Sequence, residues 1–174
     1  VITVQQAAGA ENAFAGIAQA YTDSSPILFL PGGMDGTESG VPPSFDAVPN
    51  FTATTKWADR VPSADAIPQR MRRAFTALRS GRQGPVMLEI PVDVAVEEFR
   101  GDLDYEPVQA ARTAGDPDAI RDAAGLLLNA SRPMIWCGQG VLYGQATAAV
   151  TALAEFLAAP VMTTLLGKSG FDET

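Results

Sequence analysis

The 174-residue sequence contains no histidine. Imidazole acid–base chemistry, histidine-based nucleophile triads and histidine metal ligation are all excluded by that one absence. A single cysteine, Cys137, permits no internal disulfide and fits a reducing, cytoplasmic setting. It stands between Trp136 and Gly138 at the end of an expected strand, where a thiol is packed rather than reactive. Basic residues are also few: 12 Lys and Arg against 20 Asp and Glu give a formal charge of −8. Nucleic acids and anionic membranes demand a basic face, so neither is an expected partner. No apolar run approaches the ~20 residues that cross a bilayer. The first residue is Val1, already in a strand-like run, and no targeting signal is legible, so the sequence reads as a fragment cut at both ends.

Apolar residues, by contrast, are ample. At 47% hydrophobic and 18% charged, the chain can fill a core and is not of disordered composition. The organising stretch is Gly84-Pro85-Val86-Met87-Leu88-Glu89-Ile90-Pro91-Val92-Asp93-Val94. A Gly-Pro pair halts what precedes it, a short apolar run follows, and Pro91 ends the ladder by removing a donor. The run is too short for a helix and too apolar for a half-wet strand, so it reads as a buried parallel strand.

Before it lies one α/β unit. A strand over residues 1–4 leads to a small-residue turn at Ala7-Ala8-Gly9-Ala10 and a helix over 11–21 with Phe14, Ile17, Ala18 and Tyr21 on one face. A second strand spans 27–30, and residues 31–36 leave it as a loop with three glycines. Residues 37–51 show no period and contain three prolines, which marks a candidate lid or interface segment. A helix over 66–79 buries Ile67, Met71, Ala74, Phe75 and Leu78, with Asp65 as its cap and Pro68 in its first turn. Arg70, Arg72, Arg73 and Arg79 fall off that stripe, as a solvated face would.

An irregular, acidic linker occupies 99–115. Asp116-Pro117 then opens a helix that Asn129 ends, with Ile120, Ala124, Leu127 and Leu128 as its stripe. A strand over 134–137, a turn at Gly138-Gln139-Gly140, a helix carrying Ala146, Val150, Leu153, Ala154 and Leu157, and a strand over 160–164 complete a second unit. The fold class is α/β: two incomplete parallel-sheet, three-layer units, 1–98 and 116–174, joined by the linker. Ligands in such sheets bind at strand-to-loop exits. Gly138 and Gly140, with Gly144 after them, form GxGxxxG, not the GxGxxG of a dinucleotide fingerprint, so both nucleotide binding and a plain tight turn remain open. The carboxylates lie scattered, with no pair placed by spacing for acid–base work.

The 84–94 stretch resembles the closing strand of the pyrimidine-binding domain in thiamine-diphosphate enzymes of the acetolactate synthase group. Gly9-Ala10-Glu11-Asn12, the 16–21 helix segment, Asp23-Ser24-Ser25-Pro26 and Thr55-Lys56-Trp57 are similar to other parts of that domain, in the same order. Arg132-Pro133 through Gly140, then Pro160-Val161-Met162-Thr163-Thr164 and Gly167-Lys168, resemble the first half of the group's central domain.

The resemblance implies a transferase or decarboxylase acting on 2-oxo acids, with thiamine diphosphate as electron sink and magnesium holding the diphosphate. It also implies inactivity of this stretch alone. The group's proton-donating Glu precedes the first strand, and its Gly-Asp-Gly…Asn metal motif belongs to a third domain. Ala8, Gly9, Asn12, Gly32 and Gly33 match positions beside the cofactor; Phe45 and Lys56 match positions at the substrate entrance. Asp46 stands where the group carries Gln, and Ala8 where it carries Pro. Gly138 and Gly140 match the place where some members hold FAD and others hold no ligand. A homodimer or tetramer is implied, with the cofactor between two subunits. Plain readings stay open beside these: Asn12 as a helix cap, Phe45 as packing, Lys56 as a solvated charge. A non-catalytic nucleotide- or flavin-binding module remains the alternative.

Overall fold

The computed structural model describes residues 1–109 and 113–172. It divides into two compact units, Val1–Arg112 and Thr113–Thr174, a division that falls within the 99–115 stretch; positions 110–112 of that linker lie outside the described residues.

The first unit holds a four-stranded parallel sheet formed by β1 (Ile2–Val4), β2 (Leu28–Gly33), β3 (Ala58–Arg60) and β4 (Val86–Pro91), in the order β1-β2-β4-β3. Helices α1 (Ala8–Thr22), α2 (Ala47–Phe51), α3 (Ile67–Arg79) and the single turn α4 (Val92–Ala95) complete it. β4 lies between β2 and β3, and Val86, Met87 and Leu88 are wholly buried. Its unbroken apolar run follows from burial on both faces. On one side Met87 packs with Ala10 and Ile17 of α1, Phe29 of β2 and Phe51 of α2. On the other, Val86 and Leu28 meet Ala74 and Leu78 of α3. The rings of Phe29 and Phe51 stand 5.1 Å apart and tilted. Full burial of a side chain of this size contributes about 2 kcal/mol.

Several boundaries differ from the sequence reading. α1 begins at Ala8, so Ala8, Gly9 and Ala10 are helical, and the turn contracts to Ala7, whose φ is +50°. β2 continues through Gly33, because Gly32 and Gly33 pair with Ile90 and Pro91 of β4; the parallel ladder outweighs the poor strand propensity of Pro-Gly-Gly. β3 has three residues, too short to carry a pattern, and α2 gives structure to the end of the 37–51 stretch. α3 starts one residue late, after a 3-10 turn at Ala64–Ala66. Asp65 does not cap it: its carboxylate accepts the backbone N–H groups of Arg100 and Gly101, at 2.8 and 3.1 Å. The arginines of α3 are not simply solvated. Arg70 pairs with Asp59 at 2.8 Å, Arg73 lies over the Trp57 ring, and Arg72 and Arg79 donate to the carbonyls of Asp104 and Val108.

The second unit contains α5 (Pro117–Asn129), β5 (Ile135–Cys137), α6 (Gly140–Tyr143), α7 (Thr147–Leu157) and β6 (Val161–Thr163). β5 and β6 pair in parallel. Asp116 caps α5, its carboxylate accepting from the N–H groups of Asp118 and Ala119. The expected stripe of α5 is not buried: Ile120 is 57% and Leu128 64% exposed. A two-stranded sheet offers too little surface to cover the helix. Cys137 is a free, buried thiol, as its neighbours implied. No helix among the described residues is long and apolar enough to cross a membrane.

Candidate functional site

The C-terminal ends of parallel strands are where an open sheet can take a ligand. There the first unit sets an acid into its most buried strand. Glu89 is 3% exposed, the one charged residue among the buried side chains of the described residues. Register places Arg60 opposite it on β3. The Arg60 Nε donates to Oε2 of Glu89, and Nη2 donates to Oδ1 of Asp46 at 2.6 Å. Asp46 precedes α2, and the Ala47 backbone N–H also serves Glu89. A buried carboxylate, an arginine and a second carboxylate thus tie the 37–51 stretch to the sheet.

Burial pushes the Glu89 carboxyl above its ordinary value; the guanidinium beside it pulls the other way without cancelling that cost. Burial likewise opposes the Arg60 charge, but its two carboxylate partners outweigh it and hold the group protonated. Next to this network lies an open groove of about 430 Å³, lined by Glu11 of α1, Pro42, Pro43, Phe45, Asp46 and Asn50 among others.

The residues expected near a cofactor do not all meet. Ala8, Gly9 and Asn12 lie in the first turns of α1, with Asn12 exposed. Asn12 is no cap, since Ala7 holds that position. A Cβ on Gly9 would stand 3.1 Å from Cβ of Gln5, so this glycine lets the helix start close over the end of β1. A Cβ on Gly32 would stand 3.2 Å from the backbone nitrogen of Gln6. Gly33 differs: the space in front of it is filled by the side chain of Glu89. Phe45 lines the groove while packing against the core around Phe51, so its packing role and its place at the groove coexist. Lys56 is neither in the described groove lining nor a free solvated charge. Its ammonium donates to the carbonyls of Ala77 and Ser80 at the end of α3, the latter at 2.7 Å. Burial lowers its pKa from the usual lysine value.

In the second unit, Gly138 and Gly140 have open space where a side chain would stand. Gly167 is tightly constrained: its Cβ would come 2.6 Å from the Cys137 carbonyl oxygen and 2.9 Å from the Gly138 carbonyl carbon.

Two functional candidates escaped the sequence reading. Glu89 carried a signal, an acid in the middle of an apolar strand, which the reading of the carboxylates as merely scattered passed over. Arg60 carried none, because its strand has three residues and its partners lie 14 and 29 positions away.

These residues fit one end of a thiamine cofactor and not the other. The first turns of α1, where Ala8, Glu11 and Asn12 are exposed, offer a surface against which an aromatic ring edge can rest. For a diphosphate–metal end, no group of three or more His, Cys, Asp or Glu able to hold a cation occurs among the described residues.

Residues 120–174 match the model of the thiamine pyrophosphate enzyme central domain. The chain is 37% identical over 180 residues to a probable acetolactate synthase large subunit of Methanocaldococcus jannaschii, covering 95% of this chain and 29% of that one. A putative thiamin diphosphate-dependent enzyme from Mycobacterium smegmatis superposes with TM-score 0.81 and 28% identity, over 94% of this chain and 32% of that one. Benzoylformate decarboxylase from Polynucleobacter necessarius has the same fold, with TM-score 0.83 at 23% identity over 98% of this chain and 33% of that one. The chain therefore spans about a third of the length of each.

Proposed function

The chain belongs to the thiamine-diphosphate-dependent enzymes and is acetolactate synthase-like among them; from that premise we propose that it forms one wall of the cofactor cleft of a carboligase or decarboxylase acting on 2-oxo acids. The supporting observation is the groove beside Phe45, Glu11 and Asp46 at the ligand-binding end of a parallel sheet, next to the exposed first turns of α1. Residues 1–98 are assigned to the pyrimidine-binding domain, 99–115 to the linker and 116–174 to the first part of the central domain; positions 173–174 lie outside the described residues.

In this reading Ala8, Gly9, Asn12 and Gly32 flank the pyrimidine ring, Gly33 admits the Glu89 side chain, and Phe45 narrows the way in. Lys56 acts on the approach only indirectly, by fixing the end of α3. Thiamine diphosphate supplies the electron sink that lets a 2-oxo acid lose carbon dioxide. This chain contributes orientation, exclusion of water by Phe45 and its neighbours, and the fixed charges of Asp46, Arg60 and Glu89. Magnesium is held by residues elsewhere, and the open space at Gly138 and Gly140 leaves room for FAD in the central domain. The working assembly is a homo-oligomer with the cleft between subunits, and the 174 residues alone are inactive.

The test is carbon dioxide release from pyruvate, measured with and without thiamine diphosphate and magnesium. A longer protein carrying this sequence is expected to turn over and the isolated 174 residues are not. Cofactor-independent release, or none from the longer protein with any 2-oxo acid, would remove the proposal.

A further inference from the structure

We propose that Arg60 is a positioning residue: through Asp46 it fixes where Phe45 stands at the groove, an inference that rests on the reading above in which Phe45 narrows the way in. The guanidinium bridges two carboxylates from different parts of the first unit. Its Nε donates to Glu89 on β4, and its Nη2 donates to Asp46, the residue next to Phe45. The Glu89 carboxylate in turn accepts from the Ala47 N–H. Residues 46 and 47 are therefore gripped together, one by its side chain and one by its backbone.

The two ends of this clamp are unequal. Glu89 is 3% exposed and follows the wholly buried Met87 and Leu88 on β4, so that end cannot move without opening the core. The Asp46 side chain is 29% exposed and closes a stretch, 34–46, that holds no helix or strand. Such a stretch opens locally at small cost in free energy unless something pins it. Its nearby ties are short-range: the Ser44 N–H donates to the Val41 carbonyl, and the Asn50 amide donates to the Asp46 carbonyl at 2.7 Å. Phe45 adds partial packing against the cluster around Phe29 and Phe51. Arg60 ties this end of the stretch to the sheet. Gly40, at φ +74°, gives the chain room to fold back over that tie, since a Cβ there would stand 3.3 Å from Oδ2 of Asp46.

A guanidinium suits the task. It stays charged at every working pH, and its planar fork fixes direction as well as distance. Adjacent Cα atoms lie ~3.8 Å apart, so a displaced Asp46 carries Phe45 with it. The residues assigned to the pyrimidine ring lie on α1 and β2, outside the span that Arg60 grips. The clamp therefore acts on substrate entry and leaves cofactor binding alone.

The experiment uses the full-length holoprotein carrying this chain. Asp46→Asn removes the outer arm and leaves Glu89 its arginine, so the core is kept; Arg60→Lys keeps the charge without the fork. Each should raise the KM for the 2-oxo acid turned over fastest by about three- to tenfold, the effect of one lost charge-assisted hydrogen bond, with kcat within about twofold. The half-saturating concentration of thiamine diphosphate should not move. Hydrogen exchange read by mass spectrometry should quicken by about tenfold in the amides of 44–51 and not in those of 86–91. In a Phe45→Ala background, Asp46→Asn should add nothing further to KM, because the ring it places is gone. Effects that multiply in that background, an unmoved KM, or unchanged exchange over 44–51 would overturn the positioning role and leave the carboligase reading standing. Absence of thiamine-dependent decarboxylation by the unmodified holoprotein would remove that reading and this inference with it.

Discussion

The side chain of Glu89 fills the space in front of Gly33. A Cβ on that glycine would stand 2.8 Å from both Cγ and Cδ of the glutamate, which in turn reaches Arg60 on the opposite strand. One position on β2 is thereby kept bare so that a buried acid can cross the end of the sheet.

Gly33→Ala should accordingly destabilise the first unit by about 1–3 kcal/mol, since backbone and a paired carboxylate cannot both yield. Urea unfolding provides the measurement. In the double variant with Glu89→Ala the effects should be clearly less than additive; full additivity would mean the two residues do not compete for space.

The raised pKa of Glu89 has a defined sign in stability. Its folded pKa lies above the unfolded one, so the native state binds the proton more tightly, and stability from this group is highest in acid. It is lost as pH rises from about 4.5, the unfolded value, through the folded pKa. Glu89→Gln removes that loss. Urea midpoints taken from pH 4 to 7 should fall less steeply for the variant, and a steeper fall would show that pairing with Arg60 dominates burial.

Lys56→Met leaves the Ala77 and Ser80 carbonyls without their charged donor. A loss of about 1–2 kcal/mol is expected, with faster amide exchange confined to the last turn of α3. Unchanged exchange there would mean that the ammonium contributes nothing to that helix end.

Gly167→Ala should damage the second unit while Gly138→Ala and Gly140→Ala are tolerated. The first adds a Cβ against backbone atoms of Cys137 and Gly138; the other two add one into open space. Thermal unfolding of the three variants separates these cases. Equal sensitivity at all three would show that the β5 exit is more closely packed than its geometry indicates.

Asp116→Ala removes a cap that accepts two backbone N–H groups. About 1 kcal/mol of helix stability should go with it, seen as a loss of far-ultraviolet helical signal on mild heating. No change would place the stability of α5 outside its capping turn.

Much of this architecture is written locally. The apolar run of β4 declares a strand buried on both faces, because nothing else tolerates Val86-Met87-Leu88 at full depth. Asp116-Pro117 announces α5 by cap chemistry, and the missing histidines settle at once which chemistries the chain cannot perform. The resemblance in residues 84–94 pointed to thiamine-diphosphate enzymes before any geometry was known, because that strand is both structurally demanding and distinctive. What the linear order could not yield is which distant groups share a cavity. β3 is too short to show a period, so nothing in the linear order marks Arg60, which the ladder sets opposite Glu89. Lys56 looked like a groove residue until the end of α3 took its ammonium. Local propensity and periodicity act over a few residues, and so sequence alone indicated the longer elements and the family. Charge pairing at the site depends on contacts between residues 14 and 29 positions apart, and only the folded sheet could decide them.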